Sequence, residues 1–203
     1  MNIKEIKLLD DDYDDPLEIF SLWFNLATKE EINDANAMNV ATISSDQKPS
    51  SRMILLKKYD ENGFIFNTNN ESKKSQDIDI NNYVALNFHW KSIRRQVRIQ
   101  GKAFLLNKIE SDETFKDRPR ESQIAAWASK QSQYLPNRQI LNKRIFHFEN
   151  LFNNKEIERP EFWSGFRVVP TYYEFWWDVK YRLHYRMIFE KNNGKWMKSM
   201  LYP

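Results

Sequence analysis

A chain of 203 residues that is 41% apolar has room for one domain with a sizeable core, and a formal charge of only +3 gives a nucleic-acid binder little electrostatic footing. With no cysteine, the chain excludes disulfides, thiolate metal ligands and cysteine nucleophiles. Its three histidines, His89, His147 and His184, are far apart and lack metal-ligand spacing, so no metal site is expected.

Residues 1–14 are acidic, with little periodicity, and are expected to be poorly ordered or extended, leaving 15–203 as a single domain. The acidic start lacks the apolar stretch of a signal peptide, and no apolar run approaches the roughly 18 residues of a membrane span. A cytoplasmic protein without membrane or nucleic-acid partners is therefore expected. A helix then starts at Asp15, a good N-cap, with Pro16 in the first turn and Glu18 placed to complete a capping box. Leu17, Phe20, Phe24 and Ala27, flanked by Ile19, Trp23 and Leu26, give it a broad apolar face to about residue 30.

Strand signals follow at 38–43, 52–56 and 64–68, separated by the polar turns SSDQKP and YDENG. Ser72 is placed to cap a short helix ending near 80. Residues 83–90 and 95–106 read as further strands, the latter alternating Val97, Ile99 and Gly101 with Gln96, Arg98 and Gln100. A glycine at 101, inside a strand, marks a bulge or barrel corner. A helical stretch over 108–153 is interrupted by Pro119 and Pro136. Strands return at 165–176, 182–190 and 195–200, the last pair joined by an Asn-Asn-Gly turn. The pattern is mainly β with flanking helices, an α+β chain whose short connections favour an antiparallel meander closed into a barrel.

With glycine only at 63, 101, 165 and 194, no Gly-rich phosphate loop can be built, so a phosphate would need Arg, Lys and hydroxyl groups. Four clusters supply them. Arg52-Met53-Ile54-Leu55-Leu56-Lys57 has a cation at each end; five residues apart in a strand, the two face opposite ways, serving two phosphates or leaving one solvated. Asn67 to Lys74 runs from a strand end into a helix start, where free N–H groups and the dipole favour an anion. Arg118 and Ser122 share a face if helical. Arg182, His184 and Arg186 alternate along the strand and project to one face, toward one polar, anionic or electron-rich ligand. Each cluster has an ordinary alternative as solvated surface charge, and residues 91–102, with five bases and no acid, fit a wet strand face as well as a phosphorylated ligand. The aromatic content of 15% fits either an aromatic-rich core, which composition favours, or a surface for a planar ligand or subunit contact.

The order of Asp15-Pro16-Leu17, Arg52 to Lys57, Phe66 to Asn69, Ser72-Lys73-Lys74, Arg95-Gln96-Val97, Arg118 to Gln123, Ala126-Trp127, Ser129 to Ser132, Phe162-Trp163-x-Gly165-Phe166-Arg167 and Arg182-Leu183-His184 resembles the pyridoxamine 5′-phosphate oxidase family, from about residue 15 to the C-terminus. The resemblance implies an FMN-binding split β-barrel, a homodimer with FMN at the subunit interface, and oxidation of pyridoxamine or pyridoxine 5′-phosphate to pyridoxal 5′-phosphate with O₂ as the final acceptor. It implies cofactor contacts at Arg52, Met53, Ile54, Leu55, Leu56, Lys57, Asn67, Thr68, Lys73, Lys74, Gln96, Gln131, Ser132, Trp176 and Arg186. Substrate phosphate falls to Lys57, Thr114, Arg118 and Ser122, while Arg182 and His184 lie over the pyridine ring in the catalytic position. This chain departs from the family pattern at Thr114, usually Tyr, and at Tyr185, usually Asp. Its acidic N-terminus and its ending Met200-Leu201-Tyr202-Pro203 depart as well. These departures leave open a second reading, a flavin- or pyridoxal-phosphate-binding module with weak or lost oxidase activity.

Overall fold

The computed structural model describes residues 13–203. Most of the segment expected to be poorly ordered thus lies outside the described residues; within them, Tyr13 packs against the core. Helix α1 (Pro16–Glu30) begins at Asp15, whose carboxylate accepts the Leu17 N–H at 2.9 Å. That bond goes to the second helical residue, so the reciprocal box with Glu18 does not form; the Glu18 N–H bonds the Asp15 carbonyl instead, at 3.2 Å. Ile19, Phe20, Trp23 and Ala27, at helical spacing, are buried in the main core.

Six strands follow an antiparallel path: β1 (Ala37–Ile43), β2 (Pro49–Asp60), β3 (Gly63–Asn69), β4 (Tyr83–Trp90), β5 (Arg95–Leu105) and β6 (Trp163–Trp177). Their order is β3-β2-β1-β4-β5-β6, and β6 pairs back onto β3 from Phe64↔Val168 to Asn69↔Trp163, closing a barrel without open edges. Two more strands, β7 (Tyr185–Asn192) and β8 (Lys195–Met200), extend the sheet beyond β6. They are joined by Asn193 and Gly194 at φ 48° and 82°, the two left-handed positions that the Asn-Gly pair tolerates. The expected bulge is present: the β5–β6 register shifts between Gln100 and Gly101, and a Cβ at 101 would stand 2.2 Å from the Val169 carbonyl oxygen.

The barrel is filled largely by rings. Phe20 lies edge-on to Phe64 at 4.8 Å and close to Phe88 and Tyr59, while Trp23 meets Phe175 at 5.4 Å. Much of the aromatic excess is therefore core, the reading that composition favoured. Helix α2 (Lys73–Ile80) follows β3. The helical stretch resolves into α3 (Lys108–Lys116), α4 (Arg120–Ala128), which starts directly after Pro119, and α5 (Arg138–Leu151), beyond Pro136. These pack on a second cluster around Phe115, Ile124, Ile157 and Trp163. Among the described residues, no helix is long and apolar enough to cross a membrane.

The strand expected from 182 starts later. Lys180–Arg182 form a 3-10 turn in which Tyr181 and Arg182 take φ of 62° and 60°. Left-handed backbone at two successive residues breaks the ladder, whose pairing at this end stops at Trp177↔Tyr185. Arg182 and His184 therefore precede the strand, and the expected alternation with Arg186 does not hold.

Candidate functional site

The corner where β3 passes into α2 gathers cations around too few acids. Lys74, only 7% exposed, donates from Nζ to Thr68 Oγ1 and Ser72 Oγ at 2.9 Å each and to Gln131 Oε1 at 3.0 Å, all neutral oxygens. Burial first, and the nearby Arg52 charge second, lower its pKa to about 8. Arg52, on β2, reaches across to β1, donating to Thr42 Oγ1 at 2.8 Å, Ser50 Oγ at 2.8 Å and the Val40 carbonyl at 3.2 Å. Burial lowers its pKa too, opposed by Asp77. Asp77 is buried, accepts the Thr42 hydroxyl at 2.8 Å and pairs with the Lys73 amine.

Arg52, Met53, Ile54, Asn67, Thr68, Lys73, Lys74, Gln131 and Ser132 line one cleft of about 360 Å³. All nine are among the cofactor contacts that the sequence resemblance implies. Asn67 Oδ1 is buried there without a hydrogen-bond partner, and Ser72 at the N-cap makes no side-chain capping bond because its hydroxyl serves Lys74 and Ser75 instead. Three cations beside the single carboxylate of Asp77, one of them a buried amine held by neutral oxygens, fit a phosphate-bearing cofactor, whose oxygens would accept from Arg52, Lys73 and Lys74. Leu55 and Leu56 are not part of the cleft. Leu56 is a core side chain at 4% exposure, so contact with a ligand would have to run through its backbone.

A second group lies at the β5–β6–β7 end of the sheet. Gln96 faces Trp176, and Trp176 faces Arg186. Arg186 is bound by the buried carboxylate of Glu174, which accepts from its Nε at 2.9 Å and its Nη2 at 2.8 Å, and which also accepts from Arg98 at 2.7 Å. Tyr172 donates to the same carboxylate at 3.3 Å; burial, then the Glu174 charge, raises its pKa. The Trp176 and His184 rings are 4.6 Å apart, and Arg182 is exposed.

The remaining substrate candidates lie elsewhere. Lys57 sits at a β2 bulge and lines a separate cleft of about 610 Å³ with residues 31–36. Arg52 and Lys57 thus occupy different clefts, the outcome that strand parity allowed for. Arg118 precedes α4 and stacks over Trp163 at 5.0 Å. It donates to the Ser122 backbone carbonyl at 3.1 Å, its Nε is buried without a partner, and burial lowers its pKa. Thr114 turns its hydroxyl back onto the Glu110 carbonyl at 2.9 Å, spending the group that the family's Tyr would project. Sequence reasoning missed Glu174, Asp77 and Ser72 as partners of the implied site residues. Nothing in the sequence around Glu174 marks it: the β5–β6 register sets it opposite Arg98, and Arg186 reaches it from the position diagonal on β7.

Comparison with known proteins identifies the family. A family model described as pyridoxamine 5′-phosphate oxidase matches residues 24–152, and one described as the pyridoxine 5′-phosphate oxidase C-terminal dimerisation region matches 163–203. The pyridoxine/pyridoxamine 5′-phosphate oxidase of Caulobacter vibrioides (strain NA1000 / CB15N) is 46% identical over 190 residues, covering 94% of this chain and 86% of that protein. The protein of the same name from Sinorhizobium fredii is 47% identical over 194 residues, covering 95% and 94%. Among solved structures, PhzG from Burkholderia lata 383, in complex with tetrahydrophenazine-1-carboxylic acid, has a TM-score of 0.91 at 28% identity, covering 96% of this chain and 95% of its own. A pyridoxamine 5′-phosphate oxidase-related, FMN-binding protein from Nostoc punctiforme PCC 73102 shares the fold at a TM-score of 0.74 and 13% identity, over 93% and 98% of the two chains. With its split barrel, its paired family matches and relatives near half identity over almost its whole length, the chain belongs to the pyridoxine/pyridoxamine 5′-phosphate oxidase family of enzymes.

Proposed function

We propose that this chain binds FMN and oxidises pyridoxamine and pyridoxine 5′-phosphate to pyridoxal 5′-phosphate, working as a homodimer whose sites span two copies. The observation that carries the reading is the buried Lys74 amine, hydrogen-bonded only to neutral oxygens and flanked by Arg52 and Lys73 in a cleft that fits a phosphate. A buried cation with no anion of its own is costly unless a ligand supplies the charge. FMN, held by Arg52, Lys73 and Lys74, would supply the two-electron acceptor for oxidation at the substrate C4′, with O₂ reduced to peroxide overall and, for the amine substrate, water consumed and ammonia released.

The protein's share is binding and orientation. Arg52, Lys73 and Lys74 hold the cofactor phosphate, with Asp77 fixing Lys73 and Thr42 fixing Arg52. Glu174 orients Arg186 beside Trp176. Lys57, Arg118 and Ser122 bind the substrate phosphate, while Arg182 and His184 orient the ring and stabilise charge that develops on it. Holding two reactants in register is worth about 7–11 kcal/mol of barrier. The Arg52–Lys73–Lys74 cleft and Lys57 lie in different clefts of one chain, and the match of 163–203 to a dimerisation region supports a site completed by a second copy.

The test is aerobic turnover. Purified protein mixed with pyridoxamine 5′-phosphate is expected to be yellow and to form pyridoxal phosphate and peroxide in equal amounts. Flavin without turnover would select the binding-module reading, for which the inward-turned Thr114 hydroxyl speaks. A colourless, inactive protein would remove the oxidase reading.

A further inference from the structure

The family pattern places an acid directly after His184, and this chain has Tyr185 there, half-buried with its ring 6.3 Å from Trp177. An acid reaches the same histidine from another element. Asp178, the first residue beyond β6, has Oδ1 3.0 Å from His184 Nδ1. Asp178 is itself fixed twice by the turn before β5: its N–H donates to the Arg94 carbonyl at 3.2 Å, and its Oδ2 pairs with the Arg94 guanidinium. The imidazole also lies against the Trp176 ring, 4.6 Å away and tilted 43° to it.

We infer that Asp178 is the positioning residue of His184, fixing the proton on Nδ1 and leaving Nε2 to face the substrate, so that this chain keeps an acid at its active-site histidine although position 185 has lost one. The inference rests on the proposed place of His184 over the substrate ring. Nδ1 has two neighbours with opposite demands. The carboxylate only accepts, whereas the Val179 N–H, 3.2 Å from the same nitrogen, only donates. A charge-assisted bond is about twice as strong as a neutral one, and a bare Nδ1 would set its lone pair against a carboxylate oxygen. Asp178 Oδ1 lies at ion-pair distance while the Val179 N–H makes the hydrogen bond seen at Nδ1; in the proposed state the carboxylate's stronger demand prevails, so that the proton at one nitrogen decides the state of the other.

The test is the imidazole ¹⁵N spectrum of the labelled, FMN-loaded protein at about pH 8.5, where an ordinary histidine has shed its second proton. With only three histidines in the chain, the His184→Gln variant assigns the signal. Native His184 is expected to carry its proton on Nδ1. Asp178→Asn, nearly isosteric, presents an amide that can donate into Nδ1 alongside Val179, so the proton is expected to move to Nε2. In the same variant, kcat/KM for pyridoxamine phosphate is expected to fall roughly ten-fold, with bound FMN and thermal midpoint unchanged. A bare Nδ1 in the native protein overturns the inference, and this measurement needs no variant to fold. A proton that stays on Nδ1 in Asp178→Asn, or one that moves without any loss of kcat/KM, overturns it as well. If His184→Gln itself turns over normally, the substrate-site reading fails instead, while the two spectra still decide whether Asp178 governs the ring.

Discussion

Lys74 has three neutral oxygens around its amine and a pKa lowered to about 8, which ties the binding of an anion to pH. In the unfolded chain the amine keeps its proton up to about 10.5, so below about pH 8 both states are protonated and the cost of burying the charge is fully present. Between those values the unfolded state binds more protons, and the apoprotein is expected to gain stability as pH rises, a gain absent from Lys74→Met and measurable as urea midpoints. FMN affinity is expected to run the other way, falling as pH passes about 8 and Lys74 loses its charge. The residue types at this corner were legible, because cations at a strand end that opens a helix are a recognisable anion site. Gln131 was reached only through family resemblance, since nothing local ties a loop residue to Lys74 across 57 positions. Glu174 and Asp178 were not legible: a carboxylate that holds two arginines, or a histidine, looks in sequence like one that faces water.

The elements with a clean period were read almost as they stand. In β5 the alternation of Val97 and Ile99 with Gln96 and Arg98 matches buried and half-buried positions, and α1 buries Phe20 and Ala27 of its expected face together with the flanking Ile19 and Trp23, leaving Leu17 and Phe24 half-buried. Gly101 was marked as a bend for its lack of a side chain, and the register shift there accounts for it. Gly101→Ala is expected to destabilise the protein by about 1–3 kcal/mol, because the added methyl meets backbone oxygen, which cannot swing aside as a flexible side chain would. Chemical or thermal unfolding checks this; an unchanged midpoint would mean that the corner is not sterically fixed. The loop from 178 to 184 defeated the pattern. Its residues have strand-like polarity, but the left-handed pair Tyr181 and Arg182 contains no glycine or asparagine to announce it.

For the molecule as a whole, closure of β3 onto β6 carries the phosphate cleft and the β6–β7 end on one rigid sheet, while Lys57 and Arg118 remain in separate places. The closed antiparallel barrel followed from short connections between strands, but which strands close it did not, because the β3–β6 pairing joins segments about a hundred residues apart. The account depends on a phosphate gripped by Arg52, Lys73 and Lys74, and comparing two ligands that differ only in that group isolates it. Apoprotein titrated with FMN and with riboflavin, followed by quenching of flavin fluorescence, is expected to bind one FMN per chain and to prefer it to riboflavin by at least roughly 100-fold, as two charge-assisted bonds require. Equal affinity for the two flavins would contradict the assignment of this cleft.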